Sequence, residues 1–359
     1  MRKLLIILLL ISYHHAAHSQ IYDFDSLYEH SEDFQKVFNQ IKDTFDIFNS
    51  TELMEIVITS DFKLLVKNKA KGEYQPAMLE TIVFDTLKIT RNIKIKARGN
   101  NRRQTCFHPP IFLNFPKKEA HFKQFEDFDK LKMVDYCKPG NIYEKYLFSE
   151  YYVYKLYNIL TPYSFRVRLL KVKYIDSSGK KKPRTNYAFI IENVNQLAQR
   201  MNGIYFNREK ISSRDVDAEY ETLMSIFQFM IGNTDWSIPV LHNIKLVKVN
   251  DIKKPLPITI PYDFDYTGIV NTIYAIPIDE LGIESVTERL FRGLCRDRSE
   301  YQKVFDLFLS KKEEIMNVYS ESPYMDKNQV KYALSYLKEF YRIIESNASI
   351  NNYIMGECR

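Results

Sequence analysis

The sequence predicts an α+β protein of two lobes, a β-rich first lobe with one large helix and a mostly helical second lobe. Three observations predict it. Short alternating apolar runs fill most of the chain before Asp135, a long helix with a broad apolar stripe follows, and after Asn193 the periodicity turns helical. With 359 residues, 45% hydrophobic and 27% charged, the composition is that of a globular chain long enough for two cores.

The first nineteen residues stand apart. Arg2 and Lys3 precede an apolar run from Leu4 to Ile11, and Ala17-His18-Ser19 places small residues at the two cleavage-determining positions. This pattern predicts a secretory signal peptide over 1–19, cut near Ser19–Gln20 and too short to span a bilayer as a helix. The expected layout is therefore a signal peptide (1–19), a leader helix and β-rich lobe (20–193), and a helical lobe (194–359) that carries the acidic loop described below.

In the first lobe, Phe34, Val37, Phe38, Ile41, Phe45 and Ile47 recur at helical spacing within 30–49. Strands are expected at 53–59, at two runs within 78–98, at 109–115 and at 130–136, mainly antiparallel. Asn141 is the expected N-cap of a helix over 142–160, with the tyrosine stripe at 143–157 as core. Runs at 164–176 and 186–193 then read as a hairpin. In the second lobe a helix over 215–232 opens on Asp215 and Asp217, acids suited to a helix N-terminus. A strand pair at 243–249 and 257–265 and two helices filling 281–318 and 325–345 complete the chain.

Removing Arg2 and Lys3 with the signal peptide lowers the formal charge from +6 to +4. That is weakly basic and argues against a nucleic-acid binder, which would show a concentrated patch. The densest basic run, GKKKPR at 179–184, reads as a solvated hairpin tip. Four cysteines in an exported chain suggest disulfides. Cys106 with Cys137 would staple an apolar strand, and Cys295 with Cys358 would tie down the last helix; three pairings are open from sequence alone.

Two stretches carry unusual acids: IGNTDWSIPVLHN (231–243) and PYDFDYTG (261–268). Their apolar neighbours point inward, whereas most acids sit on solvated faces. Asp263 and Asp265 lie two apart on an expected strand, so their carboxylates share a face and suit one Mg or Mn ion. Asn243 opens the first strand of the pair and offers a neutral carbonyl ligand. Asp235, upstream on the loop, is left to accept a proton from a hydroxyl. A positioned base beside Asn and Asp ligands is the equipment of phosphoryl transfer.

The order of parts follows that of the protein-kinase-like fold, with Asp263-Phe264-Asp265 where kinases have Asp-Phe-Gly. Taken together, ARGNNRR (97–103), AFIIENVNQLAQR (188–200), GNTDW…HN (232–243) and IPYDFDYTGIV (260–270) resemble the spore-coat protein H (CotH) kinase family. The resemblance implies a two-lobed protein-kinase-like fold and an exported enzyme that phosphorylates proteins with ATP. It makes Asp235 the catalytic base, Asn243 and Asp263 metal ligands, and Asp265 a second metal carboxylate, and it sets Glu192 where the connector meets the adenine.

Two departures stand beside it. Seven residues separate Asp235 from Asn243, more than in a kinase catalytic loop, so either the loop bulges around Pro239 or Asn243 is not a ligand. The family's strand lysine is replaced by Phe107-His108. Lys132, eighteen residues before Glu150, is nominated instead as the strand lysine paired with a helix glutamate, with Arg98 as the other phosphate ligand. Trp236 and His242 read as packing residues.

The expected function is an exported ATP- and Mg/Mn-dependent kinase with a protein, or another hydroxyl-bearing molecule, as acceptor. It binds no nucleic acid and keeps no integral membrane span after signal cleavage. The missing strand lysine and stretched loop leave a second reading open, a pseudokinase serving as a cell-envelope binding module. A metal-dependent hydrolase built on Asp263 and Asp265 is disfavoured, because such sites recruit more carboxylates or histidines.

Overall fold

The computed structural model describes residues 21–83, 87–99, 101–117, 122–208 and 210–359, so the signal peptide expected over 1–19 lies outside the described residues. The chain divides into two compact units, one running to Pro139 and resuming at Arg168–Ile191, the other made of Gly140–Val167 and Glu192–Arg359.

The first unit is built on strands β1 (Tyr22–Asp23), β2 (Met54–Ser60), β3 (Gln75–Val83), β4 (Leu87–Ala97), β5 (Ile111–Asn114), β6 (Lys130–Asp135), β7 (Val167–Asp176) and β8 (Arg184–Ile191). Their order is β1-β4-β3-β2-β7-β8-β6-β5, and a further β4–β5 pairing closes seven of them into a barrel. The closing register sets Ile95 opposite Leu113, and β1 shares that edge of β4 further along, with Tyr22 opposite Leu87. Alternation decides which way the strands face. In β4, Leu87, Ile89, Ile93 and Ile95 are buried while Asn92 and Lys94 face out, so a period of two lines the barrel with isoleucine. The sheet is mainly antiparallel, as expected, with two parallel pairings, β1–β4 and β2–β7. β2 and β7 lie far apart in the chain, so no tight hairpin dictates their relative direction.

The helix expected over 30–49 is shorter, α2 (Glu32–Ile41), and a separate helix that the spacing did not predict, α1 (Phe24–His30), precedes it. Ser31 makes the break, its hydroxyl accepting the N–H of Phe34 at 3.2 Å as N-cap of α2. Phe24 packs on Phe34 and Phe38 with ring centroids 5.5 and 4.9 Å apart, which fastens both helices to the core. A disulfide joins Cys106 to Cys137, and the N–H of Phe107 donates to the Cys137 carbonyl at 2.9 Å. Short helices at Phe62–Lys67 (α3), Asn101–Thr105 (α4) and Lys123–Asp127 (α5) complete the unit among the described residues.

The second unit holds the large helix α6 (Asn141–Leu160). This differs from the expected division at residue 193, and its aromatic stripe explains why. Tyr154 packs on Phe264 (4.7 Å between centroids), Tyr157 on Phe227 (4.5 Å) and Tyr152 on Tyr319 (6.0 Å), all residues of the helical unit. The N-cap is Gly140 at φ +129°, not Asn141, which is already the first helical residue. α7 (Val194–Arg200) and β9 (Gly203–Tyr205) lead to α8 (Ala218–Ile231), capped by Asp217 through the N–H of Tyr220 at 3.2 Å. α8 is buried from Glu221 to Ile231 and forms the centre of the unit.

Strands β10 (Ile244–Val249) and β11 (Ile258–Pro261) form a three-stranded sheet with β9, ordered β11-β10-β9. The return strand therefore stops four residues short of Asp265. The helix expected from residue 281 starts only at Arg298. Gly293 packs so closely on α8 that an added Cβ would stand 2.7 Å from Cβ of Ser225, and a capping box of Asp297 and Glu300 sets the true start. The later helices are α9 (Arg298–Ser310), α10 (Lys312–Ser320), α11 (Lys327–Ile344) and the short α12 (Asn347–Ile350), which runs into a π-helical turn at Asn351–Met355, and a second disulfide joins Cys295 to Cys358. Among the described residues no helix is long and apolar enough to cross a membrane. The chain is thus α+β, as the sequence predicts, but its large helix belongs to the helical unit and its sheet closes into a barrel.

Candidate active site

The acidic loop begins where α8 ends. Gly232 caps that helix at φ +65°, and a Cβ there would stand 2.0 Å from the hydroxyl oxygen of Tyr336 on α11, so both conformation and space call for glycine. Asn233 then shapes the turn: its Oδ1 accepts the N–H of Asp235 at 2.9 Å and its Nδ2 donates to Gln228 Oε1 at 2.9 Å. Trp236 donates Nε1 to the Asn233 carbonyl at 3.1 Å and buries its ring among Ile238, Ile244 and Leu246. The apolar residues around Asp235 are thus the floor of the loop. They hold the acid in place.

Backbone bonds stitch this loop to the second acidic stretch at both ends. Gly268 donates to the Gly232 carbonyl at 3.0 Å and Ile269 to that of Ile231 at 3.1 Å, with Asn233 and Thr267 bridged between them. At the other end Tyr262 donates to the Asn243 carbonyl at 3.0 Å, continuing the ladder of β10 and β11. Residues 233–243 and 262–267 must therefore run side by side, which places Asp235 beside the Asp263–Asp265 turn.

The long spacing from Asp235 to Asn243 is absorbed by a small hairpin. Ser237 and His242 exchange backbone bonds of 3.0 and 2.9 Å, and Leu241, at φ +50°, donates to the Ile238 carbonyl at 3.0 Å, closing a turn around Pro239. Asn243 is carried back to Asp235, donating Nδ2 to its carbonyl at 2.8 Å and to its Oδ2 at 3.0 Å. His242 Nε2 lies 2.8 Å from Asp235 Oδ1. That bond holds the imidazole pKa above its usual value; Asp263 adds to the effect, while burial and Arg292 oppose it.

Glu150, Asp263 and Asp265 bring their carboxylate oxygens within 4.8 Å of one another. Asp263 sits beyond the end of β11 at φ +65°, so the two aspartates meet through a turn and not through a shared strand face. α6 shapes that turn. The N–H of Asp263 donates to the Tyr154 hydroxyl at 2.9 Å, Phe264 is fully buried against Tyr154 and Phe227, and Glu150 stands one helical turn before Tyr154. Thr267 and Thr272 donate their hydroxyls to the carbonyls of Phe264 (2.8 Å) and Asp265 (3.1 Å). Three converging carboxylates repel one another unless protonated or neutralised. An all-oxygen donor set of this kind fits a hard divalent cation such as Mg or Mn.

The remaining nominated residues have partners of their own. Glu192 is buried, and its carboxylate is taken up by Arg166 (Nη2 at 2.6 Å, Nε at 2.9 Å) and Arg200 (Nη2 at 2.9 Å, Nε at 3.1 Å). Arg200 also reaches the carbonyls of Pro162 and Ser164, both at 3.0 Å, so this cluster ties α7 to the turn after α6. These bonds give the Glu192 carboxylate a structural role. Lys132 lies on β6 opposite Ile191, and Arg98 follows β4 with its guanidinium 5.6 Å from the Phe112 ring; both belong to the first unit.

Sequence reasoning missed three features of this site. Glu150, nominated only as a lysine partner, belongs to the acidic cluster; its i, i+4 relation to Tyr154 was visible, but its meeting with residues 263–265 was not. His242, read as packing, is half-exposed and bonded to Asp235. Arg292, which no motif marked, donates to the carbonyls on both sides of Asp235.

No family model matches the chain. No curated protein matches it either. Among solved structures the chain is similar to a Helicobacter pylori proinflammatory kinase, CtkA, with a TM-score of 0.37 and 12% identity over 70% of this chain and 92% of that one. A likeness of that size leaves the chemistry to be argued from the site itself.

Proposed function

We propose that the chain is an exported ATP- and Mg- or Mn-dependent kinase that transfers a phosphoryl group to a hydroxyl of a protein acceptor. The observation that carries this reading is the stitching of the Asp235 loop to the turn bearing Asp263 and Asp265, which sets a proton acceptor beside three converging carboxylates. In this reading Asp235 accepts the proton that the acceptor hydroxyl gives up as its oxygen bonds to phosphorus. Asn243 and His242 hold the carboxylate in place through its two oxygens. Asp263, Asp265 and Asn243 hold the divalent ion, with Glu150 at hand in the same cluster; such an ion neutralises charge on the phosphate oxygens. Lys132 and Arg98 are the proposed phosphate contacts. The two disulfides support export, since such bonds persist in oxidising compartments.

The test is incubation with labelled ATP and Mn²⁺, wild type beside Asp235→Ala and Asp263→Ala. Loss of a general base lowers transfer about 10²–10⁴-fold. Equal signal from Asp235→Ala would remove that residue from the mechanism, and absence of nucleotide binding would end the kinase reading. One observation favours the pseudokinase alternative, an envelope binding module: both Asp235 carboxylate oxygens already have partners. Stabilisation by Mg·ATP without any transfer would select it.

A further inference from the structure

The loop bearing Asp235 is gripped from outside its own sequence. Arg292 lies in the irregular segment before α9, and its Nη1 donates to the carbonyl of Thr234 and, at 3.0 Å, to that of Trp236. These two carbonyls flank Asp235, so a single guanidinium sets the peptide planes on either side of it. The guanidinium carbon also stands 5.6 Å from the Trp236 ring. Both bonds come from one guanidinium nitrogen, so Nη1 bridges the two carbonyls.

The segment that carries Arg292 is itself immobilised. Phe291 packs against Phe229 and Tyr301 at 6.1 and 5.9 Å. Glu221 of α8 accepts from the N–H of Leu294 at 3.3 Å and from Arg296 Nη2 at 3.1 Å. Cys295 donates its N–H to the Arg359 carbonyl and Arg359 donates to that of Gly293, both at 3.0 Å, beside the Cys295–Cys358 disulfide. A cross-link three residues from Arg292 thus braces the arm that reaches back to the loop.

We propose that Arg292 is a positioning residue for Asp235, held in place by the disulfide-braced segment 291–296. The proposal rests on the kinase reading for its catalytic consequence, but the structural half can be read separately. Trp236 is the sole tryptophan of the chain, so emission excited to the red of tyrosine absorption reports on this loop.

The experiment compares wild type, Arg292→Ala and Arg292→Lys by tryptophan emission, acrylamide quenching, far-UV circular dichroism and phosphoryl transfer. Arg292→Ala is expected to shift Trp236 emission to the red and raise quenching at unchanged secondary structure. Its kcat falls about 10–100-fold, the scale of a misplaced catalytic group, while the KM for ATP stays within about twofold. Arg292→Lys falls between the two and carries the same readouts should Arg292→Ala not fold. The double variant Cys295→Ser with Cys358→Ser, which keeps the Cys106–Cys137 bond, reproduces the emission change. Unchanged emission and quenching in a folded Arg292 variant would overturn the proposal, as would a KM change without a kcat change. A wild-type chain that transfers no phosphoryl group sinks the kinase reading instead, and the Trp236 signal still decides whether Arg292 holds the loop.

Discussion

The backbone N–H of Asp263 donates to the hydroxyl of Tyr154 at 2.9 Å, across 109 residues of chain. Asp263 adopts φ +65°, a conformation that side-chain-bearing residues rarely take and that persists where surrounding structure enforces it. Tyr154 supplies that enforcement, and Glu150 on the same helix face meets the carboxylates the turn presents. Tyr154→Phe, which removes the acceptor and little volume, is expected to lower stability by about 1–2 kcal/mol in urea unfolding. It should also reduce the rise in Tm that Mn²⁺ produces in wild type. A Mn²⁺-dependent rise of full size in the variant would separate the hydroxyl from the acidic cluster.

Glu192 discriminates between a nucleotide contact and a structural ion cluster. Glu192→Gln leaves Arg166 and Arg200 without their shared carboxylate, a loss of about 3 kcal/mol by analogy with broken buried pairs. Equilibrium unfolding should show that loss, with nucleotide affinity unchanged in the folded fraction. Unaltered stability together with weakened ATP binding would restore the adenine role.

Gly232 is the hinge from α8 into the acidic loop. Gly232→Ala places a methyl group 2.0 Å from the Tyr336 hydroxyl oxygen and adds strain at φ +65°, so a loss above about 2 kcal/mol is expected. The double variant with Tyr336→Phe recovers only part of it, since the backbone strain remains. Full recovery would assign the whole cost to the clash.

The first unit carries an acid-sensitive histidine. Burial pushes the His108 pKa from 6.5 down to about 3, with the charges of Arg184 and Lys181 acting in the same direction. Its neutral form belongs to the folded state, while the unfolded chain takes up a proton below about pH 6.5. Stability therefore falls as the pH drops from about 6.5 toward 3. At pH 5 the contribution is about 1 kcal/mol once partial exposure is discounted. His108→Asn should flatten that acid limb of the stability profile while leaving the neutral plateau less affected. An acid limb of unchanged slope would acquit His108.

Element type was legible wherever a local period matched burial. β4 alternates Ile with polar residues because one face lines the barrel, and Asp217 marks the start of α8 because its carboxylate satisfies an end N–H. Legibility failed where a distant contact overrode the local pattern. Residues 281–297 look helical by apolar spacing, yet Gly293 lies hard against Ser225 and Glu221 captures the N–H of Leu294, so the segment stays irregular until Asp297. The run to Asp265 looks like one strand, yet Tyr154 turns it at Asp263.

By itself the sequence determined the kinds of element, the number of cysteines, and the presence of Asp235, Asn243, Asp263 and Asp265 on neighbouring loop and strand segments. Only the tertiary structure decided that Cys106 meets Cys137, that Glu150 joins Asp263 and Asp265, and that Arg292 reaches back to Thr234 and Trp236. Periodicity and capping depend on residues a few positions apart, which a sequence displays directly. The convergence of groups tens or hundreds of residues apart depends on how buried rings such as Tyr154 and Phe264 pack, and no local repeat encodes that distance.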